Sequence, residues 1–346
     1  MSSSKDVARK QWETENKVKD VGNDEYYKLN QEEQQKIIEK RPWAKDPHYF
    51  KKVKMSALAL LKITMHATLD TRYEIMGMVQ GKVEGDTFII LDSFALPTDP
   101  NDMPESRVGM GQQAVEFTAK YVDMCDRYGE LTGRKENVVG WYHSHPGFRC
   151  WLSGVDVGTQ RQNQQFQDPF VAVVIDPLET QASGRVDLGS FRTYPENYKP
   201  PQASSSEYQT IPSDKVGDLG AWKDHWYTLE TEYFKSSTDY NLLNLLWNKY
   251  WIKILTSSPL IKNRQYTNQQ IIDVSVKLEK AEKDVTKSRG SVGNFEVGPQ
   301  SAQKKNDKPE PSALSLIDTD SQKIGAEVLR GVISMITKDM LFNNTK

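Results

Sequence analysis

The sequence predicts an α/β layer fold with an α-helical extension on its C-terminal side. Three observations carry that expectation. Short runs of β-branched and aromatic residues alternate with amphipathic stretches between residues 53 and 197; several of those runs are apolar throughout; and from Ala221 onward apolar residues recur at helical spacing. Strands that are apolar on both faces need cover on both sides, so a mixed sheet flanked by helices follows.

Taken in order, residues 1–52 are polar and helix-prone, with Tyr26, Tyr27, Ile37, Ile38 and Trp43 as anchors, and read as an extension wrapping the core. A helix is expected over Ser56–Leu69, then strands over 73–83 and 86–95. A second helix spans about 111–128, where Ala114, Phe117, Tyr121 and Cys125 make one apolar stripe. The run from Asn137 to Tyr142 reads as a buried strand, followed by a helix from Ser153 to about Phe166 and strands over 169–176 and 185–194. These elements define a domain over 53–197. Residues 198–220 are rich in Pro, Ser, Glu and Tyr and read as a connector.

Residues 221–346 read as helical. Ile271, Val274, Leu278, Ala281 and Val285 alternate spacings of three and four, and Ile324, Val328, Val332 and Met335 repeat the pattern. Each seam suits a hairpin within the chain and a partner's helix equally. Between them, about 290–312, Gly, Gln, Lys and Pro dominate and a flexible linker is expected.

Composition narrows the function. A chain of 346 residues allows two or three structural units, one of them with a full core. With 45 basic and 47 acidic residues the net charge is -2, so there is no electrostatic footprint for nucleic acid or an anionic membrane. No apolar run reaches spanning length, and Met1–Asp6 lacks a signal-peptide core, so a soluble, intracellular chain is expected. Two cysteines, Cys125 and Cys150, suit a reducing compartment.

The chemistry concentrates in residues 143–156. His143, His145 and Asp156 supply two imidazoles and a carboxylate, a ligand set that leaves the fourth position of a tetrahedral zinc open for water. In an extended chain, residues two apart share a face, so both imidazoles reach one ion while Ser144 turns away. Pro146-Gly147 ends the strand. Ser153 is a candidate N-cap, which puts Asp156 in the first turn of the next helix. A strand end and a helix start would then hold the ligands on rigid elements. His48, His66 and His225 are expected to be structural. Cys150 lies in the same loop, but a thiol enzyme needs a free histidine base and the nearby histidines serve better as ligands.

The pattern His143-Ser144-His145-Pro146, a spacer, and Ser153-Gly154-Val155-Asp156 resembles the JAMM (MPN-plus) metalloproteases, which add a glutamate well upstream. Here that residue is Glu74, within the apolar run Tyr73–Gly81, where an acid needs a partner. The resemblance implies an MPN domain with cytidine-deaminase-like layering, one Zn2+ per subunit, and cleavage of an isopeptide bond to ubiquitin or a ubiquitin-like modifier. It makes Glu74 the general acid–base. Ser153 is either the donor to the developing oxyanion or only the helix cap.

Further segments, Arg41–Phe50, Met55–Lys62, Asp92–Pro97, Phe191–Pro195 and Ser206–Pro212, are similar to the branch of that family that supplies the catalytic, deneddylating member of the signalosome. That resemblance implies a cullin carrying a Nedd-type ubiquitin-like modifier as substrate. As partners it implies the other signalosome subunits, including a second MPN-domain subunit, with the terminal helix in a shared bundle. The expected location is cytoplasm and nucleus. The chain departs from the pattern in the C-terminal linker and in the loop from Pro97 to Arg107, which is longer and richer in proline. Glu105 is expected to approach the open zinc position while Arg107 pairs with Asp156, restraining the isolated subunit; a solvated loop suits the same residues. Two other classes remain: a deubiquitinating enzyme of another complex such as the proteasome lid, and a non-catalytic MPN scaffold, which would lack a ligand or the base.

Overall fold

The computed structural model describes residues 4–28, 30–97, 112–132, 136–196, 198, 200, 211–256, 263–290 and 312–342. Two compact units divide the chain: Met1–Ile211 with Lys215–Ser257, and Pro212–Asp214 with Ser258–Lys346. The first is larger than the 53–197 domain expected, because both its N-terminal extension and residues beyond 220 belong to it.

The first unit runs α1 (Ser4–Glu15), β1 (Lys19–Asp20), α2 (Gln31–Lys40), β2 (Lys52–Ser56), α3 (Ala57–Ala67), β3 (Met76–Glu84), β4 (Thr87–Ala95), α4 (Gln112–Thr132), β5 (Asn137–Ser144), α5 (Gly154–Gln167), β6 (Val171–Asp176), α6 (Pro177–Ser183), β7 (Asp187–Thr193), α7 (Val216–Trp222), β8 (Trp226–Lys235) and α8 (Ser237–Thr256). The strands form one mixed sheet in the order β1-β8-β2-β4-β3-β5-β6-β7, and β7 pairs with β8 as well. The sheet therefore closes on itself. The first part of β8 pairs with β7 through Trp226–Leu229, and the next part pairs with β2 through Glu230–Phe234.

This strand corrects the expectation of helix from Ala221 onward. Trp226, Tyr227, Thr228, Thr231, Tyr233 and Phe234 are strand formers, and Trp226, Tyr227, Leu229 and Phe234 are buried. The helical period of the residues that follow does not extend back to them. The N-terminal extension is tied in at the same place, since β1 pairs with the end of β8 and Trp12 of α1 packs on Trp247 of α8 at 5.7 Å. Tyr27 and Trp43 are buried anchors, whereas Ile38 faces solvent.

Among the described residues the buried apolar side chains form three clusters, two of which explain why β6 is apolar on both faces. Val171, Val173 and Ile175 of β6 join Leu60, Leu61 and Ile63 of α3 in one, while Ala172 and Val174 join Trp141, Trp151 and Val157 in the other. The helix α3 touches β2, β4, β5, β6 and β8, so the sheet curls around it. It starts where the sequence places it, with the Ser56 side chain accepting from the Ala59 N–H as N-cap. Gly140 lets β5 and β6 approach closely, because a Cβ there would lie 2.2 Å from the Val171 carbonyl oxygen. The helix α6 was not anticipated; its signal is Asp176 as N-cap followed by Pro177 at the first helical position. The strand expected from Tyr73 begins only at Met76, so Glu74 precedes β3 and is not part of it.

In the second unit, α9 (Arg264–Gly290) packs on α10 (Ala313–Phe342). Ala281 and Ile317 are buried, but polar groups dominate the seam: Lys277 bridges Asp273 at 2.7 Å and the buried Asp320 at 2.9 Å. The apolar rows singled out in the sequence are only partly used. Ile271, Leu278, Val285, Val328, Val332 and Met335 are exposed. The expected linker lies, for residues 291–311, outside the described residues, as do Glu105 and Arg107. Among the described residues, no helix is long and apolar enough to cross a membrane.

Candidate metal centre

His143 is the penultimate residue of β5, and His145 follows just beyond its end. Main-chain bonds fix this segment from both sides: Ser144 N donates to the Ile75 carbonyl at 3.0 Å, and His145 N to the Ile175 carbonyl at 2.8 Å. The rings are wedged by aromatics. Trp141 stacks on His143 at 4.6 Å and Phe148 on His145 at 4.3 Å. Asp156 arrives from the first turn of α5 through a full capping box: Ser153 N and Oγ donate to Asp156 Oδ2 at 2.8 and 2.7 Å, and Asp156 N donates back to Ser153 Oγ at 3.3 Å. The Ser153 proton is thus used by Asp156, which favours the capping role over the oxyanion role.

The three side chains converge. His143 Nε2 and His145 Nε2 are 3.0 Å apart, and Asp156 Oδ1 and Oδ2 lie 3.3 and 3.5 Å from them in turn. All three are buried, and theirs is the group of potential ligand atoms, mutually within 4.8 Å, found among the described residues. Ligand bonds of about 2.0–2.1 Å at tetrahedral angles separate ligand atoms by roughly 3.3 Å, so the spacing suits zinc. The donor chemistry agrees. His145 Nδ1 lies 2.9 Å from the Arg149 carbonyl, which can only accept, so the ring proton is on Nδ1 and Nε2 turns a lone pair toward the other two ligands. Burial works against the Asp156 charge, but His143 and His145 outweigh it and hold its carboxyl well below the ordinary carboxylate range.

Glu74 is half-buried beside this cluster. Burial raises its carboxyl above the usual glutamate value; His145 and Lys215 oppose the rise and Asp156 adds to it. The backbone beside it is held by Ser144. Ser144 does turn away from the ligands, and its Oγ then accepts the Ile75 N–H at 3.0 Å, clamping the backbone next to Glu74. Ser144→Ala leaves that buried N–H without an acceptor, and a loss of about 1–3 kcal/mol in unfolding free energy is expected. Urea titration of both proteins measures it, and an unchanged midpoint and slope would remove the clamp.

Lys215 was also not anticipated. Its Nζ lies 5.3 Å from the Phe148 ring centroid, on the aromatic that stacks on His145. Cys150 is buried, its Sγ is 3.4 Å from the Asp187 carbonyl, and burial pushes its thiol well above the ordinary range, as suits a structural cysteine. His66 and His225 are likewise structural, bonded to Tyr142 and Arg161 at 2.8 Å each. His48 bonds Tyr194 at 2.8 Å.

The closed mixed sheet thus presents two histidines and an aspartate beside a half-buried glutamate. The family described as JAB1/Mov34/MPN/PAD-1 ubiquitin protease matches residues 48–169, and that described as Cop9 signalosome subunit 5 C-terminal domain matches residues 256–343. The chain is 46% identical over 336 residues to COP9 signalosome complex subunit 5 of Dictyostelium discoideum, covering 97% of this chain and 96% of that one. It is 48% identical over 349 residues to subunit 5b of Arabidopsis thaliana, with 99% and 94% covered, and 46% over 339 residues to subunit 5 of Drosophila melanogaster, with 98% and 97% covered. The chain belongs to the COP9 signalosome subunit 5 family.

Proposed function

We propose that the chain is a zinc-dependent isopeptidase that removes a Nedd-type ubiquitin-like modifier from cullins as the catalytic subunit of a signalosome. The observation that carries this reading is the convergence of His143, His145 and Asp156 with Glu74 beside them. His143 Nε2, His145 Nε2 and the Asp156 carboxylate would hold the ion. When bound, zinc supplies Lewis acidity and lowers the pKa of water to about 7. Glu74 takes the proton of the attacking water and delivers it to the departing lysine amine. Burial raises its carboxyl above the usual glutamate value, the direction that favours an acid–base. Ser153 acts by fixing Asp156.

The exposed apolar rows on α9 and α10 support assembly with helices of other subunits, a second MPN-domain subunit being among the expected partners. Cytoplasm and nucleus are the proposed locations. A non-catalytic scaffold would lack a ligand or the base, and this chain has all four residues. The test reconstitutes the chain with its partner subunits and offers a Nedd-modified cullin and lysine-linked ubiquitin chains in parallel. Faster cleavage of the cullin conjugate is expected; a preference for the ubiquitin chains would overturn the substrate.

A further inference from the structure

Strand β6 ends in Asp176, whose side chain is fully buried yet accepts from four backbone N–H groups. Oδ1 takes Leu178 N at 2.9 Å and Glu179 N at 3.0 Å, which caps α6. The same oxygen takes Gly147 N at 3.0 Å, and Oδ2 takes Arg149 N at 3.0 Å. These last two donors belong to the loop that follows His145, so one carboxylate joins the start of α6 to the ligand loop.

That loop turns sharply, with φ of 87° at Gly147 and 71° at Arg149. A residue with a side chain keeps the left-handed conformation only where its surroundings hold it. Here the Arg149 guanidinium is gripped by Glu179 at 3.1 Å and Asp187 at 3.2 Å, and its N–H by Asp176. The result of the turn is the position of the Arg149 carbonyl, which receives the His145 Nδ1 proton at 2.9 Å. Among the described residues, the His143 Nδ1 is buried without a hydrogen-bond partner. Stacking sets the tilt of both rings, but the Arg149 carbonyl adds a hydrogen bond that selects the tautomer of His145.

We propose that Asp176 is a positioning residue for the metal centre: by holding the Arg149 backbone it fixes the carbonyl that orients His145. The proposal rests on the zinc reading above. The Arg149 carbonyl is one step removed from the ligand, and loss of such a partner typically changes affinity about 10- to 100-fold; Asp176 acts through it.

Asp176→Asn is a selective probe. It leaves Oδ1 to cap α6 and hold Gly147, but it sets an amide NH2 against the Arg149 N–H, two donors face to face. Zinc affinity of the full chain is measured by competition with a chromophoric chelator, and ligand geometry by the visible spectrum of the cobalt-substituted protein. Affinity about 10- to 100-fold weaker and an altered cobalt spectrum are expected, with the metal-free melting temperature within a few degrees of wild type. Asp176→Ser, which keeps one capping oxygen and loses both loop contacts, is expected to weaken zinc at least as much and serves if the asparagine variant does not fold. A folded variant with wild-type affinity and spectrum would overturn the proposal. Wild-type protein that takes up no zinc would sink the zinc reading itself, a result distinct from equal binding by wild type and variants.

Discussion

Replacing Glu74 with glutamine lowers isopeptide turnover about 100- to 10,000-fold, the range that a positioned general acid–base contributes, while zinc uptake stays at the wild-type level. The swap keeps the shape of the side chain and leaves the three ligand groups untouched. The pH profile adds an independent sign. Burial pushes the Glu74 carboxyl up, with His145 and Lys215 opposing and Asp156 assisting. A base must be ionised, so the wild-type rate falls on acidification as Glu74 takes up a proton, and the glutamine variant loses this limb. Stability of the chelated protein moves the other way. A carboxyl with a raised folded pKa binds its proton more tightly folded than unfolded, so its ionised form costs stability above that pKa, and the cost fades as pH falls through it toward the ordinary glutamate value. Chelated Glu74→Gln therefore melts at or above wild type at neutral pH, and the gap closes on acidification. A zinc-replete variant with wild-type turnover would exclude Glu74 from the chemistry.

Much of this site was legible in the sequence because its signals are local. The i, i+2 spacing of His143 and His145 needs only an extended strand, and Ser153 with Asp156 is a capping box readable in four residues. Glu74 was legible only through resemblance, since nothing near it in sequence shows that Ser144, 69 positions beyond Ile75, clamps the backbone beside it. Asp176 and Lys215 were hidden for the same reason: each reaches the ligands through a loop distant in the chain. The missed strand β8 has a different cause. Its pairing with both β7 and β2 is a property of the closed sheet, and a window of ten residues beside a long helical period does not reveal it. The seams of α9 and α10 were found by their period, yet which row faces the neighbouring helix was decided by the Lys277, Asp273 and Asp320 pairs that period alone does not weigh.

Zinc raises the melting temperature of the wild-type chain and leaves Asp156→Asn unmoved. At a free concentration 100 times its dissociation constant, a ligand that binds only the folded state adds about 2.7 kcal/mol, which is roughly 5–10 °C for a unit of this size. Asparagine keeps the outline of Asp156 and one acceptor, but it removes the negative charge that His143 and His145 stabilise despite burial. It also turns a donor either toward the ion or toward Ser153 N and Oγ, which already donate to Oδ2. Binding and turnover are both expected to fall below detection. Because Asp156 completes the capping box with Ser153 and also serves as ligand, the metal-free melt separates the two duties. Loss of the cap lowers the melting temperature by itself, about 1 kcal/mol for a cap of this kind, whereas loss of the ligand abolishes the rise that zinc produces. An asparagine variant that started lower but still rose by the wild-type increment would keep the cap and remove Asp156 from the metal centre.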